Sequence, residues 1–349
     1  LFHGNRHFIS QAVHFPGISI TEKYRHMNQA VLLDPGALPL DKRVRAHLAI
    51  MRLDHSVKQL FVLPGIVIAL TLSAAPVTAL LLWHTLLGLL AVTLVASSNY
   101  VLNEMLDAPF DRLHPTKHSR PAACGAVYYP AGYAQWLLLG AAGVLLAFSL
   151  SRGFLLSVLT LWVMGCIYNI APVRTKDIPW LDVLTESINN PLRFCAGWYI
   201  ATSLAVPPIS MLISYWMLGA YFMALKRFSE YRQIGAETAG WYRKSFRFYT
   251  EKSLLNSVVF YAAAAMLFFG AFIMRYRLEL VFTFPVIALL MAVYFNLAFQ
   301  PDSAVQNPEK LYREPRLLML LSACIILLVI LLFIRMPWLE QAFPKSVMN

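Results

Sequence analysis

Asn103, Asp107 and Asp111 follow one another at four-residue spacing in the stretch "NYVLNEMLDAPFDRLHPTKHSRPAACG", directly after a long apolar run. On a helix these positions share one stripe, so an amide and two carboxylates face the same way. Like charges there repel unless a cation sits among them. Hard oxygen ligands on one face suit Mg2+, which keeps several waters and bridges to substrate phosphates. Arg112, His114, Lys117, His118 and Arg120 come next, and these are the donors a diphosphate needs once a metal has neutralised part of its charge. Pro109 lies between the acids and is expected to kink the helix or open its last turn. The alternative is an ordinary cytoplasmic loop whose acids and bases pair with one another and meet solvent.

A second constellation occurs in "YNIAPVRTKDIPWLDVLTESINNPLRFCAGW". Tyr168, Arg174, Lys176 and Asp177 fall in a short loop, followed by Asp182, Glu186, Asn189 and Arg193 within an apolar segment. Ionisable residues inside a membrane span are costly and face a polar cavity by default. The stripe Asp182, Glu186, Asn189, Arg193 fits one helical face, which makes a second cation or phosphate site opposite the first a reading to test. Its alternative is a Glu186–Arg193 or Asp182–Arg174 ion pair that ties helices together. Two further basic groups stand out: Arg52, His55 and Lys58 in "RLDHSVKQLFVLPG", and Lys226, Arg227, Glu230, Arg243 and Tyr249 in a long aromatic loop able to cover the mouth of a site.

The elements that must position these residues are membrane helices. Of 349 residues 58% are hydrophobic and only 13% charged, above the apolar share of a soluble domain. Runs such as "VTALLLWHTLLGLLAVTLVASSNYVL" cross about 30 Å of hydrocarbon as helices, and they lack the alternation of barrel strands. The expectation is an all-α polytopic membrane protein with nine spans, at about 60–75, 77–105, 129–149, 154–171, 181–204, 208–226, 254–274, 281–299 and 317–335. Lys and Arg crowd the loops on one side, while the other holds only Arg152, Arg275, Arg277, Arg335 and Lys345. The crowded side is therefore expected to be cytoplasmic, with the N-terminus inside and the C-terminus outside. Residues 1–58 read as a cytoplasmic segment with surface helices, including "ITEKYRHMNQ"; 59–336 as the transmembrane catalytic domain; 337–349 as a non-cytoplasmic tail. The net charge of +11 fits this bias and anionic lipid or phosphate substrates rather than nucleic acid. Cys124, Cys166, Cys195 and Cys324 lack metal-ligand spacing and read as small core residues.

These motifs resemble the UbiA superfamily of intramembrane prenyltransferases, whose NDxxDxxxD motif stands here as "NEMLDAPFD", with Glu104 in place of an Asp. The decaprenyl-phosphate phosphoribosyltransferase branch is the more similar: "RLDHSVKQLFVLPG", "DRLHPTKHSRPAACG", "KDIPWLDV", "LKRFSEYRQIG" and "PEKLYREPRL" match its motifs in order over roughly residues 50–335. "TESINN" departs from that branch, because a DxxxE pair looks more like the second acid motif of the aromatic prenyltransferases.

The resemblance implies nine helices around a cavity, in the bacterial inner membrane, with Mg2+ holding a diphosphate between two acidic motifs at the cytoplasmic face. Asn103, Asp107, Asp111 and Asp182 are then the metal ligands, with Asp107, Asp111 and Asp182 catalytic. Lys58, Arg112, Lys117, Arg120, Tyr168, Lys176, Glu186, Arg193, Lys226 and Arg227 are the substrate-binding candidates. The implied reaction moves 5-phosphoribosyl from phosphoribosyl pyrophosphate to a polyprenyl phosphate. The alternative moves a prenyl group from a prenyl diphosphate to an aromatic or other small acceptor. A transporter places its charges near the midplane, whereas both acid clusters here lie toward one face. The soluble partner is a diphosphate-bearing substrate and the other a lipid-linked polyprenyl phosphate; oligomeric state is not legible.

Overall fold

A 33-residue helix, Ala79–Asp111, is about 50 Å long at 1.5 Å per residue, well beyond about 30 Å of hydrocarbon. Its surplus turns project past the apolar layer and carry Asn103, Asp107 and Asp111 with them. In the computed structural model the described residues are 14–15, 18–19, 33, 35–73, 76–112, 117–203, 205–300, 304–306 and 314–343. The expected surface helix at "ITEKYRHMNQ", His114 and most of "PEKLYREPRL" lie outside them.

Two short strands, β1 (His14–Phe15) and β2 (Ile18–Ser19), pair antiparallel. Helix α1 spans Leu40–Ala49, and a 3-10 segment, Leu53–Val62, leads into α2, Leu63–Ser73. The long helix is α3, capped where Thr78 accepts from the Leu81 N–H. Then come α4 (Tyr129–Phe148), α5 (Arg152–Asn169), α6 (Leu181–Ser187), α7 (Asn189–Ala201) and α8 (Ile209–Ile234). They are followed by α9 (Ala236–Tyr242), α10 (Glu251–Tyr276), α11 (Phe284–Leu297), α12 (Pro315–Phe333) and α13 (Pro337–Ala342).

Among the described residues eight segments are long and apolar enough to cross a membrane, which makes the chain an integral membrane protein. The ninth expected span, 181–204, comprises α6 and α7, which meet at Ile188; its φ of −62° and ψ of −20° are helical, and the bonds from Ile188 N–H to the Leu184 carbonyl and from Leu192 N–H to the Ile188 carbonyl carry the ladder across. Pro191 has no N–H to offer the Ser187 carbonyl, and this weakens the helix there. The stripe read for Asp182, Glu186, Asn189 and Arg193 runs across that junction. Pro109 lies inside α3, which continues through it to Asp111.

Buried side chains gather between helices, with Leu225, Phe228 and Leu254 filling the seam of α8 and α10. A second cluster joins α3, α5 and α7 through Val92, Val95, Phe154, Val158 and Ala196. Helices α2 and α7 meet backbone to backbone at two glycines: a Cβ on Gly65 would fall 2.1 Å from the Phe194 carbonyl oxygen, and one on Gly197 would fall 1.9 Å from that of Val62. Small residues at a crossing are the usual route to close helix approach in lipid. Leu138, Leu145, Phe148, Leu267 and Phe333 point outward, as lipid-facing positions do. All four cysteines are free thiols, Cys324 buried and the others half-buried.

Candidate active site

The Asp111 end of α3 and the 170–181 loop are joined by a chain of donors and acceptors. Lys176 Nζ donates to Asp107 Oδ1 at 2.6 Å and to Asn169 Oδ1 at 2.7 Å. An ammonium can only donate, so the Asn169 atom it meets is the carbonyl oxygen. The Asn169 amide nitrogen accordingly donates to the Gly165 carbonyl at 2.9 Å. Asn103, which meets the same Asn169 oxygen at 2.7 Å, must offer its own amide nitrogen. Its Oδ1 is thereby left for another ligand.

Asp107 is held from two sides. Besides Lys176, Arg174 Nη2 donates to its Oδ1 at 2.9 Å, while Arg174 Nε lies 3.2 Å from Asp177 Oδ2. Asp111 accepts from Arg120 Nη1 at 2.7 Å on Oδ2. Each member of the stripe therefore keeps one oxygen, Asn103 Oδ1, Asp107 Oδ2 and Asp111 Oδ1, with no hydrogen bond from the described residues. Among those residues no three His, Cys, Asp or Glu converge as a metal cage. Three oxygens on one helix edge, with room for water, match instead the sparse protein coordination of a small hard cation bridged to phosphate.

Burial pushes the Lys176 ammonium down to about 8, with Asp107 opposing the shift. Half-buried Lys117 is likewise pushed down to about 8 by burial, with Glu230 opposing. Both cations are poorly hydrated and ready to exchange their surroundings for phosphate oxygens. The loop that carries Lys176 is held in unusual backbone states, with Arg174 at φ 27° and Trp180 at φ 69°. Non-glycine residues persist there only where the surroundings enforce it.

Asp182 behaves differently. It is fully buried, and both oxygens are taken by protein donors: Tyr249 Oη donates to Oδ1 at 2.6 Å, while Ser245 Oγ at 3.2 Å and Arg227 Nε at 3.3 Å share Oδ2. The Tyr249 hydroxyl itself accepts from the Trp180 N–H at 2.6 Å, and burial beside Asp182 pushes its ionisation up. Both oxygens of this carboxylate are thus engaged by protein donors, whereas each carboxylate of the stripe keeps one oxygen without such a partner among the described residues. The Asp182–Arg174 and Glu186–Arg193 pairs are not formed; Arg174 holds Asp107, and Arg193 Nε donates to Gln59 Oε1 at 2.8 Å.

The two clusters nevertheless share one chamber. Lys176 Nζ lies 5.8 Å from the centre of the Tyr168 ring, and the Tyr168 hydroxyl meets Arg227 Nη2 at 3.4 Å. Tyr168 belongs to the last turn of α5 rather than to the loop. Arg227 also binds Glu230 at 3.1 Å. Lys226 interacts electrostatically with Lys58, Glu186 and Glu230, so Lys58, Lys226 and Glu186 form a neighbouring group. Arg112 is not part of either: its Nε donates to the Ala123 carbonyl at 3.0 Å and fixes the following turn. Asn169 and Ser245 were missed by sequence reasoning. The only signal for Asn169 was an amide beside Tyr168 at the end of an apolar run; nothing marked Ser245.

With that geometry in hand, comparison with known proteins is informative. A decaprenyl-phosphate phosphoribosyltransferase of Mycolicibacterium smegmatis is 32% identical over 178 residues, covering 50% of this chain and 52% of that protein. A protein of the same name from Mycobacterium tuberculosis is 29% identical over 179 residues, covering 51% and 57%. The alignments thus span about half the length of these curated relatives. A solved UbiA homolog from Archaeoglobus fulgidus bound to GPP and Mg2+ superposes with a TM-score of 0.62 at 20% identity, over 81% of this chain and 99% of that one. The family model for UbiA prenyltransferases matches residues 61–323. Because that match runs through most of the helical bundle, including both polar clusters, the chain belongs to the UbiA prenyltransferase family.

Proposed function

We propose that this enzyme transfers 5-phosphoribosyl from phosphoribosyl pyrophosphate to a polyprenyl phosphate at the cytoplasmic face of the membrane, releasing diphosphate. The observation that carries the reading is the presence of two groups of cations in one chamber. Lys117, Arg120 and Lys176 lie about the Asn103–Asp111 stripe, while Lys226, with Lys58 and Glu186 in its surroundings, lies on the far side of Glu230, which acts on Lys117 and Lys226 alike. Two phosphate-bearing substrates call for two such groups; a prenyl diphosphate is the one phosphate-bearing substrate of the alternative reaction. The mycobacterial relatives that bear the phosphoribosyltransferase name support the same choice.

In this reading Asn103, Asp107 and Asp111 would hold Mg2+. When bound, the ion neutralises diphosphate charge as the bond to the sugar breaks. Lys176 and Lys117 donate to diphosphate oxygens and gain strength as charge builds on the leaving group. Arg120 and Arg174 keep the carboxylates of the stripe apart and correctly turned. Lys58 and Lys226 orient the lipid phosphate, already anionic, so that its oxygen attacks without a general base.

The neighbour bound to GPP and Mg2+ favours the second reading, prenyl transfer to a small acceptor. Diphosphate release from detergent-solubilised protein separates the two. Phosphoribosyl pyrophosphate with polyprenyl phosphate is expected to turn over. Turnover only with a prenyl diphosphate and an aromatic acid overturns the assignment.

A further inference from the structure

The segment between α8 and α10 folds back onto the 177–182 stretch and is fastened there chiefly at Asp182. It leaves α8 at Gly235, where φ is 83° and no heavy atom lies within 4 Å of a built Cβ. It then runs through α9 and a 3-10 turn, Lys244–Phe248, to Tyr249. Phe246 is buried with its ring 5.8 Å from that of Tyr231 and 6.2 Å from that of Tyr249. Two of the polar fastenings, Ser245 Oγ and Tyr249 Oη, end on the Asp182 carboxylate, and a third, Lys244 Nζ to Asp177 at 3.2 Å, lies beside it. Arg243 Nη1 stands 3.8 Å from Asp182 Oδ2. The same Arg243 charge acts on Asp107, Lys117 and Lys176, the groups around the diphosphate position.

We propose that Asp182 is a positioning residue in this chain rather than a metal ligand: it latches the 243–249 segment, and the latch holds Arg243 over the chamber as a further diphosphate-binding cation. A buried carboxylate is tolerable only with its charge compensated and its lone pairs used, and Tyr249, Ser245 and Arg227 already meet that demand. A metal bound at Asp182 would compete with Tyr249 and Ser245 for the carboxylate oxygens and so loosen the segment. The proposal rests on the chamber being a diphosphate site and is indifferent to which donor carries the diphosphate.

The test uses the full chain in detergent with inorganic pyrophosphate and Mg2+ as the probe, read by calorimetry, alongside trypsin cleavage after Lys244 and Arg247. Arg243→Ala is expected to weaken pyrophosphate binding about tenfold or more while leaving cleavage within about twofold of the parent, because the Tyr249 and Ser245 fastenings survive. Tyr249→Phe and Asp182→Asn are both expected to speed cleavage about tenfold and to weaken pyrophosphate binding, with the Mg2+ concentration for half-maximal binding unchanged. In turnover assays the three variants raise KM for the diphosphate substrate more than they lower kcat. Tight pyrophosphate binding by both Arg243→Ala and Asp182→Asn overturns the proposal and leaves the chamber assignment standing. So does a tenfold rise in the Mg2+ requirement confined to Asp182→Asn. A parent protein that binds no pyrophosphate overturns the chamber assignment, and the role of Arg243 with it.

Discussion

Lys176 Nζ, 2.6 Å from Asp107 Oδ1, joins the 170–181 loop to the end of α3. The ammonium is buried, so its bond to the carboxylate is charge-assisted at both ends and little screened. Lys176→Met removes that bond and one phosphate donor together. At about 1.5–3 kcal/mol for a charged hydrogen bond, kcat/KM for the diphosphate substrate is expected to fall about 10- to 100-fold. Steady-state diphosphate release measures it; a change below threefold would place Lys176 outside the reacting chamber.

Asp107 and Asp111 differ in what their loss leaves behind. Asp107→Asn strips the negative charge facing both Lys176 and Arg174, two largely buried cations, whereas Asp111→Asn affects Arg120, which is 24% exposed. Both variants are expected to raise the Mg2+ concentration for half-maximal activity by about tenfold or more, since each removes a ligand charge. Only Asp107→Asn is expected also to lower the thermal midpoint in detergent by several degrees, because breaking a buried pair strands the remaining charges.

That contrast shows where sequence reasoning reached and where it stopped. The Asn103–Asp111 stripe was legible because helix period alone fixes which residues share a face, and the spans were legible because lipid leaves the backbone little choice but helix. The partners of Asp182 were not. Ser245 and Tyr249 are 63 and 67 residues away, and only the packing of the segment after α8 brings them to the carboxylate. Nor could spacing show that a short acid motif at 182–186 has one residue sealed by donors and the other half-buried.

Gly65 and Gly197 set the approach of α2 to α7, and so the placement of Gln59 against Arg193. Gly197→Ala drives a methyl into the Val62 carbonyl, a backbone group that cannot swing aside. A cost of about 1–3 kcal/mol follows from overpacking. Gly270→Ala in α10, where a Cβ meets nothing within 4 Å, is expected to leave stability unchanged or raise it by about 0.5–1 kcal/mol. Thermal midpoints of the two variants in one detergent, read by loss of helicity, check the ordering.

The charge bias between loops predicts that the side of the membrane bearing α9 is cytoplasmic. With the native cysteines replaced, Glu237→Cys, exposed on α9, is expected to react with a membrane-impermeant maleimide in inverted vesicles and not in intact cells. Ser149→Cys, exposed between α4 and α5, is expected to do the opposite. Labelling of both from the same side would reject the assigned orientation.

Lys117 and Lys176, each pushed down to about 8 by burial, make activity and stability respond to alkali in opposite directions. Above pH 8 the free enzyme loses the cations that receive diphosphate, so kcat/KM for that substrate is expected to fall along an alkaline limb centred near pH 8. The unfolded chain keeps these lysines protonated until about pH 10.4. Between about pH 8 and that point it therefore binds more protons than the folded enzyme, so unfolding becomes less favourable as pH rises. Any gain in thermal midpoint from these two groups thus accompanies the loss of activity, which distinguishes their titration from simple alkaline denaturation. Lys176→Arg keeps its charge throughout this range and is expected to move the limb upward. A limb that stays near pH 8 in Lys176→Arg would assign it to Lys117 alone, and one that tracks a falling midpoint would reject both.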